Sequence, residues 1–136
     1  MSEGNLALAR EYFETFNAGG LDAVEQFWHP EIELYDPPEF PDADRYVGVA
    51  AVRRRTESYM EVGGWSGEFD VEEYVDAGEE VVVISKLRGG SARFETGIVP
   101  LEVTIAQVLL FEGGKLRRFK SYLSRTEALE AAGLSD

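Results

Sequence analysis

Val99-Pro-Leu-Glu-Val-Thr-Ile-Ala-Gln-Val-Leu-Leu-Phe111 decides the fold. Its odd positions Val99, Leu101, Val103, Ile105, Leu109 and Phe111 put one apolar row on one face of a strand, while Ala106, Val108 and Leu110 make the other face apolar as well. Such a strand is covered on both sides. Helices can take one face; a second copy of the chain is the simplest cover for the other, and this predicts a homodimer through the sheet. One amide, Gln107, interrupts the odd row and must satisfy a donor and an acceptor through a neighbour, a water or a ligand.

Around this strand the second half of the chain alternates with period two between glycine turns. Strands are predicted over 65–75, 80–88, 92–111 with a break near Gly97, and 115–123, with turns at Asp76-Ala-Gly78, Gly89-Gly90 and Glu112-Gly-Gly114. Ser124-Arg-Thr-Glu127 has capping-box spacing ahead of a short terminal helix that finishes at Gly133.

The first half reads as helices. Leu6, Ala9, Phe13 and Phe16 form one stripe with Leu8 and Tyr12 beside it, and Ala18-Gly-Gly20 ends this helix. Leu21, Val24, Phe27 and Trp28 predict a second short helix stopped by His29-Pro30, since a residue before proline avoids helical angles. Gly48 opens a third, with Val49, Val52, Thr56, Tyr59 and Met60 inside and Arg53-Arg-Arg55 partly outside. Helices first and antiparallel strands after is an α+β plan, with helices on one face of a curved sheet.

Between the second and third helices lies Glu31-Ile-Glu-Leu-Tyr-Asp-Pro-Pro38. If Ile32 and Leu34 face the core, the same period turns Asp36 inward just before two prolines end the strand. Burial favours the protonated form of a carboxyl, which is one way to make a proton-transferring acid. The alternative is an Asp-Pro turn in which the side chain bonds its own backbone at the surface.

Composition bounds the rest. A chain of 136 residues fits one domain, residues 1–136, with a core that needs no staples. With 26 acidic and 13 basic residues, net -13, it repels polyanions and anionic membranes, so nucleic acid and membrane are not expected partners. There is no cysteine and one histidine, His29, read as a capping or packing residue, so no metal site and no cofactor is expected. No basic start with an apolar run reads as a leader, no run is long enough to span a bilayer, and the expected location is the cytoplasm. Glu68, Asp70 and Glu72 read as a solvated strand face, with Arg88 and Lys120 also at the surface. Trp28, Tyr59, Trp65 and Phe119 line core or pocket.

Phe16-Asn-Ala-Gly-Gly-Leu-Asp22, Phe27-Trp-His-Pro30, Asp36-Pro37, Gly48 with Val52, Asp76-Ala-Gly78, Glu112-Gly-Gly-Lys115 and Ala128-Leu-Glu-Ala-Ala-Gly-Leu134 occur together in order. In these the chain resembles the nuclear-transport-factor-2-like superfamily, particularly its SnoaL-like members, over nearly its whole length. The resemblance implies a cystatin-like cone-shaped α+β barrel, three helices on a curved antiparallel sheet plus a short C-terminal helix, usually dimeric, with a deep pocket for a small hydrophobic molecule. Matched on Asn17 and Asp36-Pro37, it is similar to ketosteroid isomerase at two places: Tyr12 stands at the oxyanion-binding tyrosine and Asp36 at the proton-carrying base. Gln107 stands where that family has a protonated aspartic acid, and its amide could donate in its place. The implied catalytic set is Asp36, Tyr12 and Gln107, and the implied pocket Trp28, Tyr59, Trp65, Phe119 and Ser121. Polyketide-cyclase chemistry needs the same acid in an apolar cavity. An epoxide-hydrolase-like set would need Asp-Arg-Asp, and Ser121 occupies the place of one acid. A non-catalytic dimeric binding or protein-interaction module would use the same fold, or fill its cavity with its own side chains.

Overall fold

The computed structural model describes residues 2–40, 43–61, 64–94 and 97–134. Helix α1 (Ser2–Val24) leads through a 3-10 turn (Glu25–Phe27) into β1 (Trp28–Tyr35); β2 (Arg45–Val47) and α2 (Val49–Glu61) follow. Strands β3 (Phe69–Ala77), β4 (Glu80–Phe94), β5 (Gly97–Glu112) and β6 (Lys115–Tyr122) precede the closing helix α3 (Arg125–Ala131).

The end expected at Ala18-Gly-Gly20 is a kink at Gly20 rather than a helix end. Gly20 takes φ 69° and ψ -157°, a left-handed conformation that glycine adopts without a Cβ clash, and the helix resumes as far as Val24. The predicted second helix is therefore cut short, and Trp28 opens a strand. His29-Pro30 does not end a helix but sits in β1, where the pairing with β6 is irregular between Trp28 and Glu33. A proline without an N–H is tolerated at such a break.

The strands run in the order β2-β1-β6-β5-β4-β3. All neighbours are antiparallel except β1 and β6, which are parallel, so the sheet is mixed rather than wholly antiparallel. Among the described residues it stays open, with β2 and β3 as edges, and does not close into a barrel. The short β2 had no alternating pattern to betray it. Gly89-Gly90 is not a turn: β4 continues through it, and one extra residue is absorbed by a register shift against β5 between Arg88 and Ser91.

Two cores lie on opposite faces of the sheet. The inner one joins Ala9, Tyr12, Phe13 and Phe16 of α1 and Val52 of α2 to Ile32, Leu34, Val81, Val83, Leu109, Leu116 and Phe119. The outer one sets Ala128 and Leu129 of α3 on Val82, Ile84, Ala106 and Val108. The even face of β5, for which a second copy was the simplest cover, is thus partly covered by the chain's own terminal helix. That helix is well terminated at both ends. Ser124 Oγ accepts the Glu127 N–H at 3.2 Å, and at the far end Gly133, with φ 81°, lets the Leu134 N–H reach the Leu129 carbonyl at 2.8 Å.

The seam between α1 and the sheet is held by Asn17, whose amide imitates a strand edge. Its Nδ2 donates to the Phe69 carbonyl at 2.7 Å and its Oδ1 accepts the Phe69 N–H at 2.8 Å. Phe69 then packs edge-on against Phe13 and Phe16. Asn17→Ala is expected to lower unfolding free energy by about 1–2 kcal/mol in urea titration, the scale of hydrogen bonds lost at a partly wet site. A change under about 0.3 kcal/mol would show that the aromatic packing holds the seam alone.

Candidate functional site

A cavity of about 40 Å³ lies between α1, α2 and the inner face of the sheet, lined by Tyr12, Thr56, Tyr59, Trp65, Gln107, Phe119, Ser121 and an otherwise apolar wall. Tyr12 comes from the same helical stripe as Ala9, Phe13 and Phe16, which buries it. Its hydroxyl accepts the Trp28 indole N–H at 2.9 Å. Burial pushes this phenol well above the ordinary tyrosine range, and the Trp28 bond offsets part of that rise. Among the described residues the Tyr12 proton has no acceptor, so a hydrogen-bond donor stands ready in an apolar space.

Gln107 lies in the middle of the inner row of β5, opposite Ser121 on β6. Its Nε2 donates to Ser121 Oγ at 3.2 Å, which satisfies part of the amide within the sheet and leaves its carbonyl oxygen and second N–H without a partner among the described residues. Thr56 spends its hydroxyl proton on the Val52 carbonyl at 2.9 Å. Of the pocket residues expected from the sequence, Tyr59, Trp65, Phe119 and Ser121 line the cavity; Trp28 stands behind it and holds Tyr12.

Asp36 is buried, as the period of Ile32 and Leu34 required, but it is not on the cavity wall. Its side chain has 0% exposure and is paired with Arg55, whose own side chain is 15% exposed. Arg55 Nε and Nη2 donate to the two carboxylate oxygens at 3.1 and 3.0 Å; the Tyr59 hydroxyl and the Asp44 N–H donate as well, the latter at 3.3 Å. The guanidinium lies over the rings of Tyr46 and Tyr59, at 5.2 and 4.8 Å from their centres. Burial works against the Arg55 cation, yet the hydrogen bond to Asp36 and the charges of Tyr59 and Asp36 outweigh it and raise its pKa. Burial and then the Asp36 carboxylate push the Tyr59 phenol upward too. Asp36 also borders a separate pocket of about 160 Å³ with Tyr35, Pro38, Lys120, Ser121 and Tyr122.

The structure thus brings Tyr12, Gln107, Tyr59 and Ser121 to one void and leaves Asp36 behind Tyr59. Arg55 is the residue that sequence reasoning misplaced, since it turns inward rather than partly outside. Its signal was four residues away, because Arg55 and Tyr59 share a helix face at i, i+4. His29 Nδ1 accepts the Glu31 N–H at 3.0 Å. On the opposite face Asp70 meets Arg88 and Glu72 meets Lys86, at 2.9 and 3.6 Å, so that face is a ladder of exposed pairs. Lys120 lies over the Tyr35 ring at 5.1 Å. Among the described residues no cluster of three or more His, Asp or Glu is arranged for a metal ion, and no helix is long and apolar enough to cross a membrane.

Residues 9–119 match the model of the SnoaL-like domain, and the chain belongs to that family. Similar solved structures include TerC co-crystallised with polyporic acid, at 16% identity and TM-score 0.70 over 96% of this chain and 98% of that one. A proposed polyketide cyclase from Sinorhizobium meliloti is similar at 20% identity and TM-score 0.65, covering 89% of this chain and 98% of its own. A proposed ketosteroid isomerase from Kribbella flavida is similar at 21% identity and TM-score 0.66, covering 90% of this chain and 79% of its own. At these identities the likeness is one of fold. None of the curated proteins matches the sequence.

Arg55→Met should cost about 3–5 kcal/mol of stability, because it strands a buried carboxylate, whereas Arg55→Met with Asp36→Asn should recover more than half of that loss. Additive losses in the double variant would mean that the two residues act independently. The buried phenols make a second prediction. A tyrosine pKa raised on folding contributes fully below the unfolded value of about 10 and loses its contribution as pH climbs through the folded value. Stability to urea should therefore fall above about pH 10, and less steeply in Tyr12→Phe than in the wild type. Equal slopes would show that Tyr12 ionises freely in the folded chain.

Proposed function

We propose that this SnoaL-like protein binds a small apolar molecule bearing a carbonyl oxygen, with that oxygen between Tyr12 and Gln107. The observation that carries the reading is the Tyr12 hydroxyl, buried among aromatic rings, fed by the Trp28 N–H and holding a proton with no acceptor among the described residues. Accepting one hydrogen bond strengthens a hydroxyl as a donor of the next. The amide of Gln107 supplies the second donor, and the aromatic wall supplies the apolar contact.

On a carbonyl compound held there, Asp36 would serve as the acid/base for proton transfer, acting through Tyr59. The α-carbon proton passes to the Tyr59 oxygen as the Tyr59 proton passes to Asp36. Electrons of the broken C–H bond move into an enolate whose oxygen is held by Tyr12 and Gln107, and reversal returns a proton to the same or a conjugated carbon. This is the class of reaction run by ketosteroid isomerases and compatible with polyketide cyclisation. A non-catalytic binding role is favoured by a different observation, the two-pronged Arg55 clamp that occupies the Asp36 carboxylate and keeps it off the cavity wall. The proposal retains a homodimer through the part of the outer sheet face that α3 leaves uncovered, and light scattering tests it directly.

Pentan-2-one, slim enough for the cavity, separates the readings in D2O. Wild type should accelerate exchange of the α hydrogens, Tyr59→Phe should lose that acceleration while binding the ketone within about two-fold, and Tyr12→Phe should weaken binding about ten-fold. Binding that depends on Tyr12, without faster exchange, would assign the cavity to a binding module. Binding indifferent to Tyr12 would remove the cavity as the site.

A further inference from the structure

The apolar residues that line the cavity have an exposed apolar neighbour on the same face of the sheet. Leu87, on the wall, is paired across the sheet with Phe69 of β3 on one side and with Val103 of β5 on the other. Directly opposed residues of neighbouring strands share a face with Cβ atoms about 5 Å apart, so the three form one row across the sheet. Val103 lies 47% exposed at the end of that row, a large apolar side chain left open to water. Ile105 connects it to Gln107 along the inner row of β5. Four residues separate Gln107 from Val103, about 13 Å of strand.

Polarity is graded along this path. The Tyr12 proton and the Gln107 carbonyl oxygen and second N–H, which have no partner among the described residues, are at the buried end, and the side chains of Ile105 and Val103 are aliphatic. The charged ladder of Asp70, Lys86, Arg88 and Glu102 belongs to alternate positions of the same strands and so points to the other face, where its members pair with one another. The cavity by itself is short of space, since a void of roughly 150 Å³ is what holds a single benzene ring. A ligand that places one oxygen at Tyr12 must therefore extend outward.

We propose that the ligand is an elongated amphiphile with one oxygenated end, its head at Tyr12 and Gln107 and its unbranched apolar tail lying over Ile105, Leu87 and Val103. This rests on the cavity being the binding site. Leu87 and Val103 then select tail length, while Tyr12 selects the head.

A series of methyl ketones from pentan-2-one to pentadecan-2-one, titrated by tryptophan fluorescence and NMR shifts, tests this on the intact chain. Affinity of the wild type should rise about three- to four-fold per added methylene until the tail passes Val103, then level off. Val103→Ser should bind pentan-2-one as the wild type does and pentadecan-2-one about ten-fold more weakly. Affinity that does not change with length, while remaining dependent on Tyr12, would overturn the tail site and leave the cavity reading intact. The same holds if Val103→Ser alters self-association and not ketone binding, for then the exposed valine serves a second copy. If no ketone of the series binds, or Tyr12→Phe binds them all equally well, both readings fall together.

Discussion

A carboxylate taken wholly out of water has to meet a cation, and in this fold that requirement ties three elements into one corner. Asp36 ends β1, Arg55 and Tyr59 come from α2, and Tyr46 comes from β2, so one ion pair fixes where the second helix lies against the sheet. The chain between them closes on the same residue, since the Asp36 N–H donates to the Asp44 carbonyl and the Asp44 N–H donates back to the Asp36 side chain. Desolvation costs several kcal/mol for each ion, and only the paired hydrogen bonds and the flanking rings offset it. The corner is therefore stable as a whole and poor in parts.

That same pairing shapes the chemistry available beside it. Without Arg55 the carboxylate would stand behind the cavity wall as a buried charge with no cation; with it, Asp36 is held in place and the cavity meets the Tyr59 hydroxyl. On the far wall the Tyr12 phenol is also kept protonated by its surroundings. The polar surface met by an occupant thus consists of neutral donors and one amide, a set that recognises an oxygen and repels neither sign of charge strongly. Specificity must then come from the apolar wall.

Much of this was written in the pattern of residues. The double-sided strand around Gln107 announced a covered sheet, Ile32 and Leu34 turned Asp36 inward, and Ser124 with Gly133 bracketed the terminal helix. Other features depended on partners that no local pattern contains. That the helical segment stops short of Trp28 was decided by β6, which offers Trp28 a parallel neighbour and outweighs a helical spacing only two turns long. The three residues of β2 exist because β1 needs an edge partner, and Gly89-Gly90 stays in a strand because β5 is long enough to pair beyond it. Arg55 read as one of three arginines lying partly outside, and its inward turn followed from a carboxylate nineteen positions earlier.

The terminal helix carries the last consequence. A strand apolar on both faces is a liability until something covers the second face, and the sequence alone allowed a neighbouring molecule to do it. By laying Ala128 and Leu129 on Val82, Ile84, Ala106 and Val108, α3 reduces the apolar area left for such a neighbour. Assembly is then no longer needed to bury that core, and the inner face is freed from the same duty by α1 and α2. Among the described residues, Val103 stays open to water on the inner side, and its neighbours Leu87 and Ile105 line the cavity.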